Sequence, residues 1–264
     1  MCQTDQTNPA IASGSPRMRG NWVKRAEQNP TSATPRRAPP NCRGLAAGRG
    51  RGCSGASWEE GANSPCRESE ESGHAVRALK DRILQDGRNL GRGILKVDSF
   101  LNHQVDAALI DACGRELATR LRPVGATKVL TAEISGIAPA VTTALHLQVP
   151  LVYARRTRPV TMPDQVLLTV APSHTRGQLV ELIISPEYLQ RGERILIVDD
   201  FLATGQTILG LARLVQAGGA VVVGVGTVIE KSFEHGREAL LPLGVPVESL
   251  AIVTDMRDGQ IVLA

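Results

Sequence analysis

Two adjacent carboxylates, Asp199 and Asp200, stand directly after the apolar run RILIV (Arg194–Val198). A small, hydroxylated turn follows them: Ala203, Thr204, Gly205, Gln206 and Thr207. A buried strand that ends in a diacid and passes into a helix through T-G-x-T sets two kinds of chemistry side by side. Backbone N–H groups at a helix start lack intrahelical partners, and the helix dipole favours an anion there, so the turn suits a phosphate. Gly205 lets the backbone approach that phosphate closely, and Thr204 and Thr207 add hydroxyl donors. The carboxylates would repel a phosphate. They suit nearby hydroxyls or developing positive charge, such as those of a ribose. A ribose 5-phosphate ligand requires both parts. The simpler alternative is a strand-to-helix turn in which Asp and Thr act only as caps, but strand, diacid and T-G-x-T together are more specific than that. No G-K-[ST] follows the glycine, so a Walker loop is excluded.

The elements that must position these residues are legible after about Gly73. Ala78, Leu79, Ile83 and Leu84 mark one face of a short amphipathic helix that ends at Gly87. ILKV (Ile94–Val97) predicts a short strand, and Asp106–Leu121 carries helical spacing up to Pro123. KVLTA (Lys128–Ala132) predicts a strand, followed by a helix over Ile137–Leu147 and a strand over Val149–Ala154. Weaker β-like runs cover Gln165–Val170 and Gln178–Ile184. After RILIV come a helix (Ile208–Ala217) and the strand Ala220–Ile229. A short helix at Gly236–Leu241 and strands at Leu250–Val253 and Ile261–Leu263 close the pattern. Apolar strands alternating with amphipathic helices predict an α/β fold, a mostly parallel sheet covered on both faces. Ligands of such sheets bind beyond the carboxyl ends of the strands, here after Ala132 and after Val198.

The 264 residues are 42% apolar, which suffices for a normal core, but only 3% aromatic, so Val, Leu, Ile and Ala must fill it. Residues 1–75 differ sharply. They are rich in Arg, Gly, Pro and Ser, and up to Gly73 their only aliphatic side chains larger than Ala are Ile11, Val23 and Leu45. Such a stretch is expected to be disordered, because it cannot offset chain entropy of ~1–2 kcal/mol per residue. Residues 76–264 are expected to form the working domain. The basic, Gly-rich RGNW and GRGRG suggest an RNA-binding or targeting tail only weakly, and nucleic acid is not expected as a partner of the folded part. Of Cys2, Cys42, Cys53, Cys66 and Cys113, none forms a C-x-x-C pair, so zinc ligation is not expected. No run of about eighteen apolar residues and no signal-type apolar region is present, which makes the cytoplasm the expected location. His103 and His146 are expected to be packed or solvated, and His174 and His235 lie in loops. Arg155, Arg156 and Arg158 form either a pyrophosphate contact or a solvated basic edge.

The segment ILIVDDFLATGQT resembles the phosphoribosyl pyrophosphate (PRPP) signature of type I phosphoribosyltransferases. From Val76 onward the chain is similar to the bacterial xanthine phosphoribosyltransferases. The resemblance rests on ILKVDSFLNHQVD (Ile94–Asp106), EISGIAPAV (Glu133–Val141), DDFLATGQ (Asp199–Gln206) and VIEKSFEHGRE (Val228–Glu238). It implies the type I fold with a small hood, a homodimer, and transfer of phosphoribosyl from PRPP to xanthine, with Mg²⁺ held mainly by PRPP rather than by side chains. It assigns Ala203, Thr204, Gly205, Gln206 and Thr207 to the 5-phosphate, and Asp199 and Asp200 to the ribose. Leu95, Asn102 and Lys231 fall at the xanthine, and Glu133, Ile134, Ser135 and Gly136 at the pyrophosphate. Lys231 can donate to a purine 6-oxo group, Asn102 offers an amide, and Leu95 an apolar wall. Ile134 departs from a family loop that reads E-S-S-G-I. APSHTRGQ (Ala171–Gln178) is the expected position of a loop that closes over the substrates. The rivals are a PRPP-sensing purine regulator without turnover, and an enzyme for guanine or hypoxanthine. The family pattern begins near VRALKDRI, and no methionine lies between Met18 and Met162. Val76 read from a GTG codon is therefore an expected alternative start.

Overall fold

The computed structural model describes residues 65–172 and 179–264. The expectation of disorder for residues 1–75 lies almost wholly outside the described residues, as does most of the expected closing loop. The first helix, α1, spans Pro65–Asp86 and so crosses the expected boundary at Val76. Its buried positions are Ala75, Leu79 and Ile83, an i, i+4, i+8 stripe, whereas Leu84, expected on the inner face, is exposed. Two very short strands follow, β1 (Arg88–Asn89) and β2 (Leu95–Lys96), paired antiparallel. A single π-type turn over Asp98–Asn102 comes next. Phe100 and Leu101 are fully buried there, which anchors the turn and leaves Asn102 exposed.

Helix α2 spans Ala107–Leu121. Its N-cap Asp106 accepts a hydrogen bond from Leu109 N, and its carboxylate also meets Arg82 of α1 at 3.2 Å. The remaining elements are β3 (Lys128–Ala132), α3 (Ile137–Leu147), β4 (Leu151–Ala154), β5 (Leu167–Pro172), β6 (Leu179–Ile184), β7 (Arg194–Leu202), α4 (Gln206–Ala217), β8 (Val221–Lys231), α5 (Gly236–Leu240), β9 (Val247–Asp255) and β10 (Val262–Leu263). Six of the strands form one sheet in the order β10-β9-β8-β7-β3-β4, parallel except for β10 against β9. One apolar cluster packs α1, α2 and α3 on one face of that sheet. The other packs α4 and the β5–β6 hairpin on the opposite face. The expected mostly parallel, doubly covered sheet is therefore the fold.

Two strands run further than their apolar stretches. β7 continues through Asp199 and Asp200 to Leu202, with Asp199 registered against Thr227 and Leu202 against Glu230. β8 continues to Lys231, opposite Val253 of β9. Asp and Lys are poor strand formers, but β8 beside the end of β7 and β9 beside the end of β8 supply ladder partners that outweigh local propensity. The diacid thus lies inside the strand rather than after it.

Candidate functional site

At the carboxyl end of the sheet, β7, β3 and β8 deliver their last residues to a cavity of ≈ 320 Å³. The turn from Ala203 to Thr207 forms one wall. Gly205 is the N-cap of α4 with φ +75°, and no side chain caps this helix. Neither Asp nor Thr therefore serves as a cap, and the first N–H groups of α4 stay free for a ligand. A side chain at Gly205 would place its Cβ 3.1 Å from Gly236 O of α5, so conformation and close packing both require glycine. Helix α5 is itself fixed from behind. Arg237 donates through Nε to Glu230 Oε1 at 3.0 Å and through Nη2 to Glu230 Oε2 at 2.6 Å, and through Nη1 to Val247 O at 2.7 Å. Burial raises the Glu230 carboxyl, but these hydrogen bonds, Ser249 and the guanidinium charge together hold it below its ordinary range.

Asp199 and Asp200 are both buried, and both border the cavity. The backbone N–H of Asp200 donates to Asp199 Oδ1 at 3.0 Å. Burial first, and the adjacent Asp200 second, push the Asp199 carboxyl well above the usual range, with Arg156 pulling weakly the other way. Gly136 packs against Asp199 and Thr131, since a Cβ on it would lie 2.5 Å from Asp199 Oδ1 and 2.3 Å from Thr131 Oγ1. The loop from Glu133 to Gly136 is thereby set directly beside the diacid. It is also tied to the exit of β4: Glu133 N donates to Ala154 O at 3.0 Å, and Arg156 N donates to Glu133 Oε2 at 2.8 Å. Glu133 and Ser135 border the cavity, whereas Gly136 and the 73% exposed Ile134 are not among its lining residues.

The opposite wall consists of Ile94, Leu95, Asn102 and Lys231. Lys231 is buried. Its Nζ donates to Gly93 O and to Glu234 Oε1, each at 2.8 Å, and lies 5.7 Å from the centre of the Phe201 ring. The cavity therefore gathers Ala203, Thr204, Gly205, Gln206 and Thr207, the diacid, Glu133, Ser135, Leu95, Asn102 and Lys231 in one place.

Ala171 and Pro172, the start of the segment expected to close over the substrates, line the cavity at the end of β5. Some members went unrecognised in the sequence. Val180 and Leu182 of β6 line the cavity too, and only tertiary packing brings them there. Glu234 holds Lys231, and its i, i+3 spacing from that lysine was the available signal. Of the arginines after β4, Arg156 reaches the cavity, while Arg158 is engaged with Asp164 at 2.8 Å. His146 lies elsewhere, with Nε2 2.9 Å from Asp111 Oδ1, and His235 is exposed. Cys113 is buried in the core, where burial and then Glu116 push its thiol to about 12.

An uncapped helix start and a buried diacid beside one cavity at the carboxyl end of a mostly parallel sheet are the arrangement of the phosphoribosyltransferase class of enzymes. The model of the phosphoribosyl transferase domain matches residues 108–253, and the chain belongs to that family. Its sequence relatives narrow the membership. The chain is 47% identical over 184 residues to the xanthine phosphoribosyltransferase of Deinococcus deserti, covering 70% of this chain and 95% of that one. It is 45% identical over 186 residues to the xanthine phosphoribosyltransferase of Oceanobacillus iheyensis, covering 70% and 96%. Within the family it therefore belongs with the xanthine phosphoribosyltransferases. Among solved structures, the adenine phosphoribosyltransferase of Rhodothermus marinus matches with a TM-score of 0.56 at 25% identity, covering 69% of this chain and 99% of that one.

Proposed function

We propose that the protein transfers the 5-phosphoribosyl group of PRPP to xanthine, giving xanthosine 5′-monophosphate and pyrophosphate in purine salvage. The observation that carries this reading is the uncapped start of α4 beside a buried diacid, with Lys231 and Asn102 in the same cavity. The N–H groups of Gly205, Gln206 and Thr207 and the Thr204 hydroxyl take the 5-phosphate. Asp199 and Asp200 face the ribose hydroxyls and stabilise the positive charge that develops as the anomeric bond to pyrophosphate breaks. Glu133 to Gly136 receive the pyrophosphate, and Arg156 borders the same wall. Lys231 donates to the purine 6-oxo group, Asn102 to the base edge, and Leu95 covers a ring face. Catalysis by such a site is chiefly positioning and electrostatics.

Mg²⁺ is the ion we propose with PRPP, which would supply most of its ligands. The hard oxygens of Asp199 and Asp200 border the same cavity, while among the described residues no group of three or more His, Cys, Asp or Glu side chains is placed to hold a metal by itself. When bound, the ion neutralises the leaving pyrophosphate. A homodimer is the assembly we propose. Exposed Val141 and Leu145, one turn apart on α3, are apolar surface that a partner would cover. Among the described residues no helix is long and apolar enough to cross a membrane, and we place the enzyme in the cytoplasm.

The test supplies xanthine, guanine, hypoxanthine and adenine separately with PRPP and Mg²⁺ and follows nucleotide formation. The expected result is the highest kcat/KM for xanthine. Preference for guanine or hypoxanthine would keep the chemistry and discard the base. Tight PRPP binding without turnover of any base would leave a PRPP sensor.

A further inference from the structure

The ammonium of Lys231 has three N–H donors. Two are committed within the protein, to Gly93 O and to Glu234 Oε1, both at 2.8 Å. The lysine and glutamate side chains are only 6% and 12% exposed, so water does not compete strongly for this pair. Glu234 does not border the cavity, whereas Lys231 does. The carboxylate thus reaches the ligand space through the lysine. Gly93 belongs to the β1–β2 turn, and its own approach to Glu234 is close, since a Cβ there would lie 3.3 Å from Glu234 Oε1.

From this geometry we infer that Glu234 is a specificity-determining positioning residue, fixing Lys231 so that a single N–H is presented to the base. The inference rests on Lys231 being the base reader. A held donor demands an acceptor at the purine 6-position. A 6-oxo group satisfies it, whereas a 6-amino group would set donor against donor and leave a buried charge partly unpaired. A lysine on a free four-carbon stem has no such selectivity, because it can swing away from an amino group. Selection between 6-oxo and 6-amino purines thus depends on the group behind the lysine as well as on the lysine.

The experiment measures KM and kcat for xanthine, adenine and PRPP in the full-length wild type and in E234A, E234Q and K231A. E234A is expected to raise KM for xanthine by roughly tenfold and to lower the xanthine-to-adenine ratio of kcat/KM by a similar factor, with KM for PRPP unmoved. E234Q retains an acceptor oxygen and is expected to recover most of that loss, which a requirement for the charge alone would not allow. If E234A does not stay folded, E234D withdraws the acceptor by one methylene and carries the same expectation. An unchanged KM for xanthine in E234A, or an equal rise for PRPP, would overturn the role of Glu234. Silence of K231A on xanthine would instead remove the assignment of Lys231 beneath it.

Discussion

The two walls of the cavity are built on opposite plans. The phosphate wall comes from one uninterrupted segment, Asp199–Thr207, in which strand, diacid and helix start follow each other in the chain. The base wall is assembled from Leu95, Asn102 and Lys231, which meet only because the β1–β2 turn folds back onto the end of β8. Their charges differ as well. Asp199 is a buried carboxylate beside another carboxylate, whereas Lys231 is a buried cation with a carboxylate partner. A locally encoded wall thus holds unbalanced charge ready for a substrate, and a wall assembled from distant parts is electrostatically complete without one.

The largest expected effect tests the unbalanced side. D200N keeps the size of the side chain and removes its charge. It is expected to lower kcat/KM for both substrates by about 10²- to 10³-fold, read by steady-state kinetics. A loss below tenfold would mean that the diacid does not stabilise the transition state. On the base wall, K231A is expected to lower kcat/KM for xanthine by about 10- to 100-fold while leaving KM for PRPP within roughly twofold. Equal damage to both substrates would dissolve the distinction between the walls. G205A is milder. It forces a side chain into φ +75° with Gly236 O at 3.1 Å, and is expected to raise KM for PRPP by about five- to tenfold with base selectivity intact.

The same contrast explains what could be read from the chain. The phosphate wall was legible because its determinants are neighbours in sequence, and β3, α3 and α4 fell within two residues of their expected ends. The extension of β7 through Asp200 to Leu202 was not legible, since it is imposed by pairing with β8 rather than by Asp or Phe. Leu84 was expected inside because of helical spacing, yet the stripe that α1 buries is set one position over, at Ala75, Leu79 and Ile83. Leu95, Asn102 and Lys231 could be grouped only through resemblance, because no local pattern links residues so far apart. Glu234 and the hairpin residues Val180 and Leu182 were missed for that reason: they act through contacts that the fold creates.

The smallest expected effect concerns stability, and its sign separates the walls. Asp199 has its carboxyl raised in the folded state by burial and by Asp200. A group raised in this way contributes stability below its unfolded pKa and loses it as pH rises through the folded one. D199N removes that loss. The substrate-free protein is therefore expected to gain about 2–4 °C in Tm at pH 8. The gain should shrink as the pH falls and Asp199 of the wild type takes up its proton, while activity stays low throughout. K231M should do the reverse, because it leaves the half-buried Glu234 beside Gly93 without the Lys231 cation, so Tm falls. Thermal denaturation of both variants from pH 5 to pH 8 measures the difference. If D199N lowers Tm at pH 8, the ionised diacid is a stabilising part of the empty fold, and the electrostatic contrast between the two walls does not hold.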